Sequence, residues 1–279
     1  MALPYLVPPD VVEKVTVCVN ELVTEDDTPV DNLLSEKQQR LLTEPLYSSW
    51  SGLSGAPQPH GRRPFLVAAN VGLFPSLSQP PLVPDVFLSL DVEVPPDWHD
   101  KRHRSYFFWE FGKAPEVVIE IVSNREGNEL DSKMRDYARM GITYYIVHDP
   151  LQQLGIQVLQ IYEKQGLQYQ PFVGGTLPGV GLGLVLWEGV YEGKRDTWLR
   201  WCDAQGQVIP TGAERAEREA ARAEQEAARA EQEAARAEQE AARAEQEAAA
   251  RQHAEAELAR LRAELARLRQ HPGSEHEPR

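Results

Sequence analysis

The residue alphabet of this 279-residue chain changes at Gly212, and that break limits what each half can fold into. Every Trp, Tyr, Phe, Cys and Met lies in residues 1–212, whereas residues 213–279 are nearly all Ala, Glu, Arg, Gln and Leu. The tail repeats Ala-Arg-Ala-Glu-Gln-Glu-Ala every seven residues, with Arg222, Arg229, Arg236 and Arg243 marking the period. Ala223, Ala227, Ala230 and Ala234 begin a run spaced alternately by four and three, the spacing of a coiled-coil seam. Leu258, Leu261, Leu265 and Leu268 form a stronger seam near the end, and Glu226 with Arg229 sets up ion pairs three residues apart. Ala and Glu favour helix, but alanines bury little area, so a single solvated helix and a self-associating coil both fit. The chain therefore divides into a globular domain, residues 1–212, and a helical coiled-coil tail, residues 213–279.

Charge and cysteine usage narrow the setting. The net charge is −14; residues 1–212 carry 27 acidic and 17 basic groups, and the tail carries 16 and 12. So acidic a domain is not a generic nucleic-acid binder, because phosphate contacts need local positive charge. The basic cluster Lys101-Arg-His-Arg104 runs into the aromatic stretch Tyr106-Phe-Phe-Trp109. That mixture suits phosphates and stacked bases, and it suits a solvated loop leading into a core strand better. Cys18 and Cys202 have neither metal nor disulfide-framework spacing, which points to a reducing compartment. The N-terminus lacks a charged, apolar leader and no apolar run approaches membrane-spanning length. A cytoplasmic protein with no membrane partner is the expectation.

Patterning within residues 1–212 predicts an α/β fold. Val11–Val23 reads as a strand or short helix. Asp31–Leu42 carries a Leu stripe with Asp31 as N-cap. Ser51–Pro64 reads as loop; Phe65–Val71, Leu82–Leu90 and Tyr106–Phe108 read as strands. Pro115–Ser123 is a β-branched strand followed by a turn at Ser123–Asn128. A helix over Glu129–Met140 is closed by Gly141, and Tyr144–His148 is the next strand. Strand, helix and strand at that spacing make a parallel crossover. Residues 156–163, 167–173, 182–187 and 197–202 suggest further antiparallel strands, hence a mixed sheet.

Two carboxylates stand out in this pattern. Glu120 sits inside the apolar run Glu-Val-Val-Ile-Glu-Ile-Val, residues 116–122, and Asp85 inside Leu82-Val-Pro-Asp-Val-Phe-Leu. A buried carboxylate needs a cation, a hydrogen-bonding partner or a proton. Strand alternation puts Asp85 with Phe87, and Glu120 with Val118 and Val122. On neighbouring strands in register both acids would face one way and offer hard oxygens to Mg²⁺ or Mn²⁺. Lys133, on the following helix, could orient or deprotonate a water or neutralise charge on a phosphate. Each has a plainer reading: Lys133 as a surface lysine paired with Glu129, and Asp85 as a Pro-Asp turn leading into a strand.

Taken together, Val83-Pro-Asp85, Pro115–Ser123, Lys133-Met-Arg-Asp-Tyr-Ala-Arg-Met-Gly141 and Tyr144-Tyr-Ile-Val-His-Asp-Pro150 resemble the Uma-two family of restriction-endonuclease-like proteins, in the PD-(D/E)XK nuclease superfamily. The resemblance covers about residues 30–190. It implies a restriction-endonuclease-like core with a mixed β-sheet flanked by helices. It also implies that Asp85 and Glu120 are Mg²⁺ ligands, with the main-chain carbonyl of Ile121 completing the metal shell. Where the superfamily places a lysine two residues after the glutamate, this chain has Val122, and Lys133 resembles a migrated replacement. The expected activity is a Mg²⁺-dependent endonuclease that hydrolyses phosphodiester bonds of nucleic acid, DNA foremost. The alternative is a non-catalytic nuclease-like scaffold presented on a coiled coil.

Overall fold

The structure is a computed structural model and describes residues 32–50, 52, 63–93, 96–97, 99–123, 130–155 and 157–270. Val11–Val23 with Cys18, Asp31, most of the Ser51–Pro64 loop and Asn124–Glu129 lie outside the described residues. The chain forms two compact units, Met1–Arg215 and Ala216–Arg279.

The first unit is built on a six-stranded mixed sheet of order β1-β3-β5-β6-β7-β8. Its strands are β1 (Phe65–Ala69), β3 (Val86–Leu90), β5 (Val117–Ile121), β6 (Tyr144–His148), β7 (Leu159–Gln165) and β8 (Gln168–Pro171). β5 and β6 run parallel, and every other pairing is antiparallel. The three central strands β3, β5 and β6 are buried along their whole length. This is why they read as continuous apolar runs rather than as alternation.

Each face of the sheet is covered. On one face Val86, Leu88, Val117 and Ile119 pack against Leu42 and Leu46 of helix α1 (Leu33–Ser49). Leu184, Leu199 and Trp201 from the hairpin β9 (Gly183–Tyr191)–β10 (Lys194–Cys202) join the same cluster. On the other face Phe87, Val118 and Val122 pack against Tyr106, on β4 (Tyr106–Phe107), and Tyr137. Tyr137 belongs to helix α3 (Ser132–Met140), the crossover between β5 and β6. β4 pairs in parallel with β2 (Leu73–Phe74), and α2 (Phe108–Phe111) follows β4 directly.

Several element ends differ from the sequence-based expectation. The cap of α1 is Asn32, whose side chain accepts from the Leu34 and Ser35 amides, rather than Asp31. α1 also runs past Leu42, through Pro45, to Ser49. A mid-helix proline costs roughly 3 kcal/mol, and burying Leu42 and Leu46 completely, at about 1.5–3 kcal/mol each, offsets it. β1 stops at Ala69 because Asn70 is left-handed, φ 55°. β3 starts only at Val86, while Leu82 makes an isolated bridge to Leu73. Phe108 turns into α2, which Gly112 closes at φ 75°. α3 starts at Ser132 and ends, as its sequence suggests, on left-handed Gly141, φ 90°.

The second unit is helical. α4 runs unbroken from Gly212 to Gln270, so its first turn belongs to the first unit. Leu258, Leu261 and Leu265 are about half exposed, and the side chain of Leu268 lies outside the described residues. An ion pair in the tail joins Arg243 and Glu247, four residues apart rather than three.

Candidate functional site

The site forms just before β3 begins, where the antiparallel β5 continues past it. The register Val86↔Ile119, Phe87↔Val118, Leu88↔Val117, carried one pair further, sets Asp85 opposite Glu120. Both acids lie on the face that bears Phe87, Val118 and Val122. Beyond Val86 no strand residue is left to bond Ile121, and the Asp85 carboxylate takes that role: the Ile121 amide donates to Asp85 Oδ2 at 2.7 Å. A side chain thus satisfies a main-chain donor that the sheet would leave bare. The N–H and C=O of one strand residue project to the same edge, so the Ile121 carbonyl emerges on the Asp85 side.

Glu120 is 2% exposed. Its Oε2 accepts from Lys133 Nζ at 3.1 Å and its Oε1 from the Tyr137 hydroxyl at 2.7 Å. Lys133 and Tyr137 are four residues apart on α3, one turn of the same helical face. Lys133 thereby reaches the site rather than solvent alone, and Glu129 lies outside the described residues. Burial pushes the Glu120 carboxyl up to about 7; the neighbouring Asp85 charge pushes the same way, and Lys133 and Tyr137 oppose. Burial and the adjacent Glu120 hold the Tyr137 hydroxyl well above its usual range, so it remains a donor.

Two further residues shape the site and are not evident from sequence patterning. Gln39, on α1, donates from Nε2 to Asp85 Oδ1 at 2.8 Å and to Asn70 Oδ1 at 3.2 Å. Asn70 Nδ2 donates back to Gln39 Oε1 at 2.9 Å, and the Asn70 amide bonds the Asp85 carbonyl at 3.2 Å. The signal for Tyr137 was present: a hydroxyl one turn after a candidate lysine. For Gln39 no local signal exists, because only the docking of α1 brings it to Asp85. Glu36, the acid one turn before Arg40 on the same helix, pairs with that arginine at 2.5 Å.

The donor set can be tested against a cation. Among the described residues no group of three or more His, Cys, Asp or Glu is placed to hold a metal. Zinc sites draw mainly on His nitrogen and Cys sulfur, with Asp or Glu oxygens joining them. Two carboxylates and a main-chain carbonyl, all oxygen, suit a hard cation that keeps most of its water, as Mg²⁺ does.

The basic segment forms a 3₁₀ turn, Lys101–His103, none of whose residues is buried. Arg102 is engaged by Asp100 at 2.6 Å, and Arg104 donates to the His99 carbonyl. Tyr106 and Phe107 are buried in the core.

Among solved structures, one similar chain is described as the "Crystal structure of a putative nuclease belonging to DUF820 from Anabaena variabilis ATCC 29413". The two are 15% identical with a TM-score of 0.34, covering 56% of this chain and 74% of that one. No curated protein matches. The family profile described as "Putative restriction endonuclease" matches residues 28–179, more than half of the chain and all of the site described above. The chain belongs to this family, Uma2.

Proposed function

We propose that this protein is a Mg²⁺-dependent nuclease that hydrolyses phosphodiester bonds, with DNA as substrate. Asp85, Glu120 and Lys133 are its catalytic side chains, and Asp85, Glu120 and the Ile121 carbonyl hold the cation, for which Mn²⁺ is a substitute. The observation that carries the reading is the contact of Lys133 Nζ with the buried Glu120, one position across the sheet from Asp85. A stable fold has no need of this cluster: burying an ionised carboxylate costs several kcal/mol, and an apolar residue would pack there without it.

When bound, the cation supplies Lewis acidity toward a phosphoryl oxygen and toward an attacking water. The rest falls to the chain. Asp85 and Glu120 are preset by Gln39, the Ile121 amide and Tyr137, so little reorganisation is needed. Lys133, donating to Glu120, is a cation and stabilises charge that grows on the phosphate. The water oxygen bonds to phosphorus as it gives up a proton to solvent, the phosphorus–oxygen ester bond breaks, and the leaving oxygen takes a proton back from solvent. We assign the protein to the cytoplasm; its described cysteine, Cys202, is a free thiol, and no described helix is long and apolar enough to cross a membrane. Self-association is assigned to the Leu-bearing end of α4.

The test is calorimetric titration of the full chain with Mg²⁺ and Mn²⁺, paired with cleavage of supercoiled plasmid, linear duplex, single-stranded DNA and RNA. Wild type should bind a cation and nick DNA, and Glu120→Gln should do neither. Cation binding without cleavage of any substrate would replace this reading with a nuclease-like scaffold, which the acidic surface and Val122 favour. No binding at all would remove the metal site.

A further inference from the structure

Gln39 is 5% exposed and lies beside Asp85, just before β3 begins. Both of its N–H groups are used, one on Asp85 Oδ1 and the other on Asn70 Oδ1, and its oxygen accepts from Asn70. An ionised carboxylate only accepts, so the amide nitrogen of Gln39 is the end that faces it. Asn70 can close this clasp because it sits in the left-handed region at φ 55°, a conformation that asparagine tolerates better than most residues. From there its main-chain amide also bonds the Asp85 carbonyl. Asp85 is therefore held at three points: Oδ1 by Gln39, Oδ2 by the Ile121 amide, and its carbonyl by Asn70.

We propose that Gln39, clasped by Asn70, is a positioning residue that fixes Asp85 and restricts the site to one divalent cation. The inference rests on Asp85 and Glu120 being cation ligands. Its second part follows from shape and charge. A glutamate has the same length as glutamine, and an oxygen in place of Nε2 would stand about 2.8 Å from Asp85 Oδ1. Two carboxylates that close repel unless a cation or a proton lies between them. With an amide there, Asp85 and Glu120 are the two carboxylates facing the site among the described residues, and Lys133 opposes them. A third carboxylate would supply both the ligand and the charge for a second ion.

The experiment is Mn²⁺ titration of the full chain by calorimetry, with circular dichroism to confirm folding. Wild type should take up one ion. Gln39→Glu should take up two. Asn70→Gly keeps the left-handed backbone and removes only the clasp; it should bind one ion at least tenfold more weakly, and Gln39→Leu likewise. A merely structural Gln39 would not change stoichiometry. The proposal is overturned if Gln39→Glu still binds one ion and both other variants bind within twofold of wild type. If wild type binds none, the reading of Asp85 and Glu120 has failed and this inference goes with it. If wild type binds one and the Gln39 and Asn70 variants match it, only this inference falls.

Discussion

Glu120 and His148 sit at the ends of neighbouring parallel strands and pull the pH dependence of stability in opposite directions. Burial raises Glu120 to about 7 from its usual 4.5, so between those values the folded state holds a proton that the unfolded state has lost. The stabilisation is complete below about 4.5 and is lost as pH rises through about 7. Burial lowers His148 to about 4 from 6.5, so its contribution is present above about 6.5 and is lost as pH falls through about 4. Over pH 4.5–6.5 the two nearly cancel, each limited to about 3 kcal/mol. Glu120→Gln removes one limb: in urea titrations without divalent cations its stability should rise from pH 4.5 to 6.5, while wild type stays flatter and then declines toward pH 7. Parallel curves for the two proteins would rule this out. Tyr137→Phe should cost about 1–3 kcal/mol, since a buried carboxylate oxygen loses its donor. It should also weaken Mn²⁺ binding most below pH 7, where the ion must displace the Glu120 proton; an unchanged pH profile would deny Tyr137 this role. The carboxylates were legible in the sequence because polar residues in apolar runs stand out. Of their donors, Tyr137 left a trace, a hydroxyl one turn after Lys133, whereas Gln39 acquires meaning only when α1 docks.

Among the elements, α1 carries two consecutive glutamines with different duties. Gln39 faces the site, whereas Gln38, 1% exposed, donates to the Leu199 carbonyl at 2.8 Å and accepts from the Leu199 amide at 3.0 Å. Gln38 thus stands in for a missing neighbour strand of β10. Replacing it with leucine leaves two buried main-chain groups unbonded, at about 1–3 kcal/mol each. Gln38→Leu should lower the melting temperature by several degrees and leave Mn²⁺ affinity of the folded protein within twofold of wild type. A large loss of affinity at unchanged stability would reverse the division of labour. The β5–α3–β6 crossover was readable because its strands are short apolar runs and Gly141 marks the helix end. The boundaries of α1, β3 and β4 were not, because Pro45, Pro84 and Phe108 are overruled by or yield to packing that local pattern does not encode. Nor does composition reveal that Arg102 of the basic turn is engaged by Asp100 and that Arg104 reaches the His99 carbonyl.

For the whole molecule, the composition break at Gly212 and the end of the compact unit at Arg215 differ by one helical turn, and that turn is chemically part of the core. Thr211 and Glu214 form a reciprocal cap: the Glu214 amide donates to Thr211 Oγ1 at 3.1 Å and the Thr211 amide to Glu214 Oε2 at 2.8 Å. The same Glu214 carboxylate receives both terminal nitrogens of Arg200 at 2.7 Å, and Arg200 is 2% exposed. Arg215 also donates to the Ser48 carbonyl on α1. Removing one partner of a buried ion pair costs about 3–5 kcal/mol, a large share of a typical domain's stability. Two truncations therefore separate. A chain ending at Arg215 should fold with a melting temperature close to that of the full protein and keep its cation affinity. A chain ending at Gly212 should lose several degrees at least, because Arg200 is left buried without Glu214. Equal stabilities would show that the cap and the Arg200 pair contribute nothing. Light scattering on the Arg215 truncation tests assembly as well. The tail's 59-residue helix spans about 90 Å at 1.5 Å per residue, and its alanine seam buries little, so the half-exposed leucines supply most of any driving force for association. Loss of the tail should reduce an oligomer to monomer, and an unchanged number of chains per assembly would place the contact elsewhere.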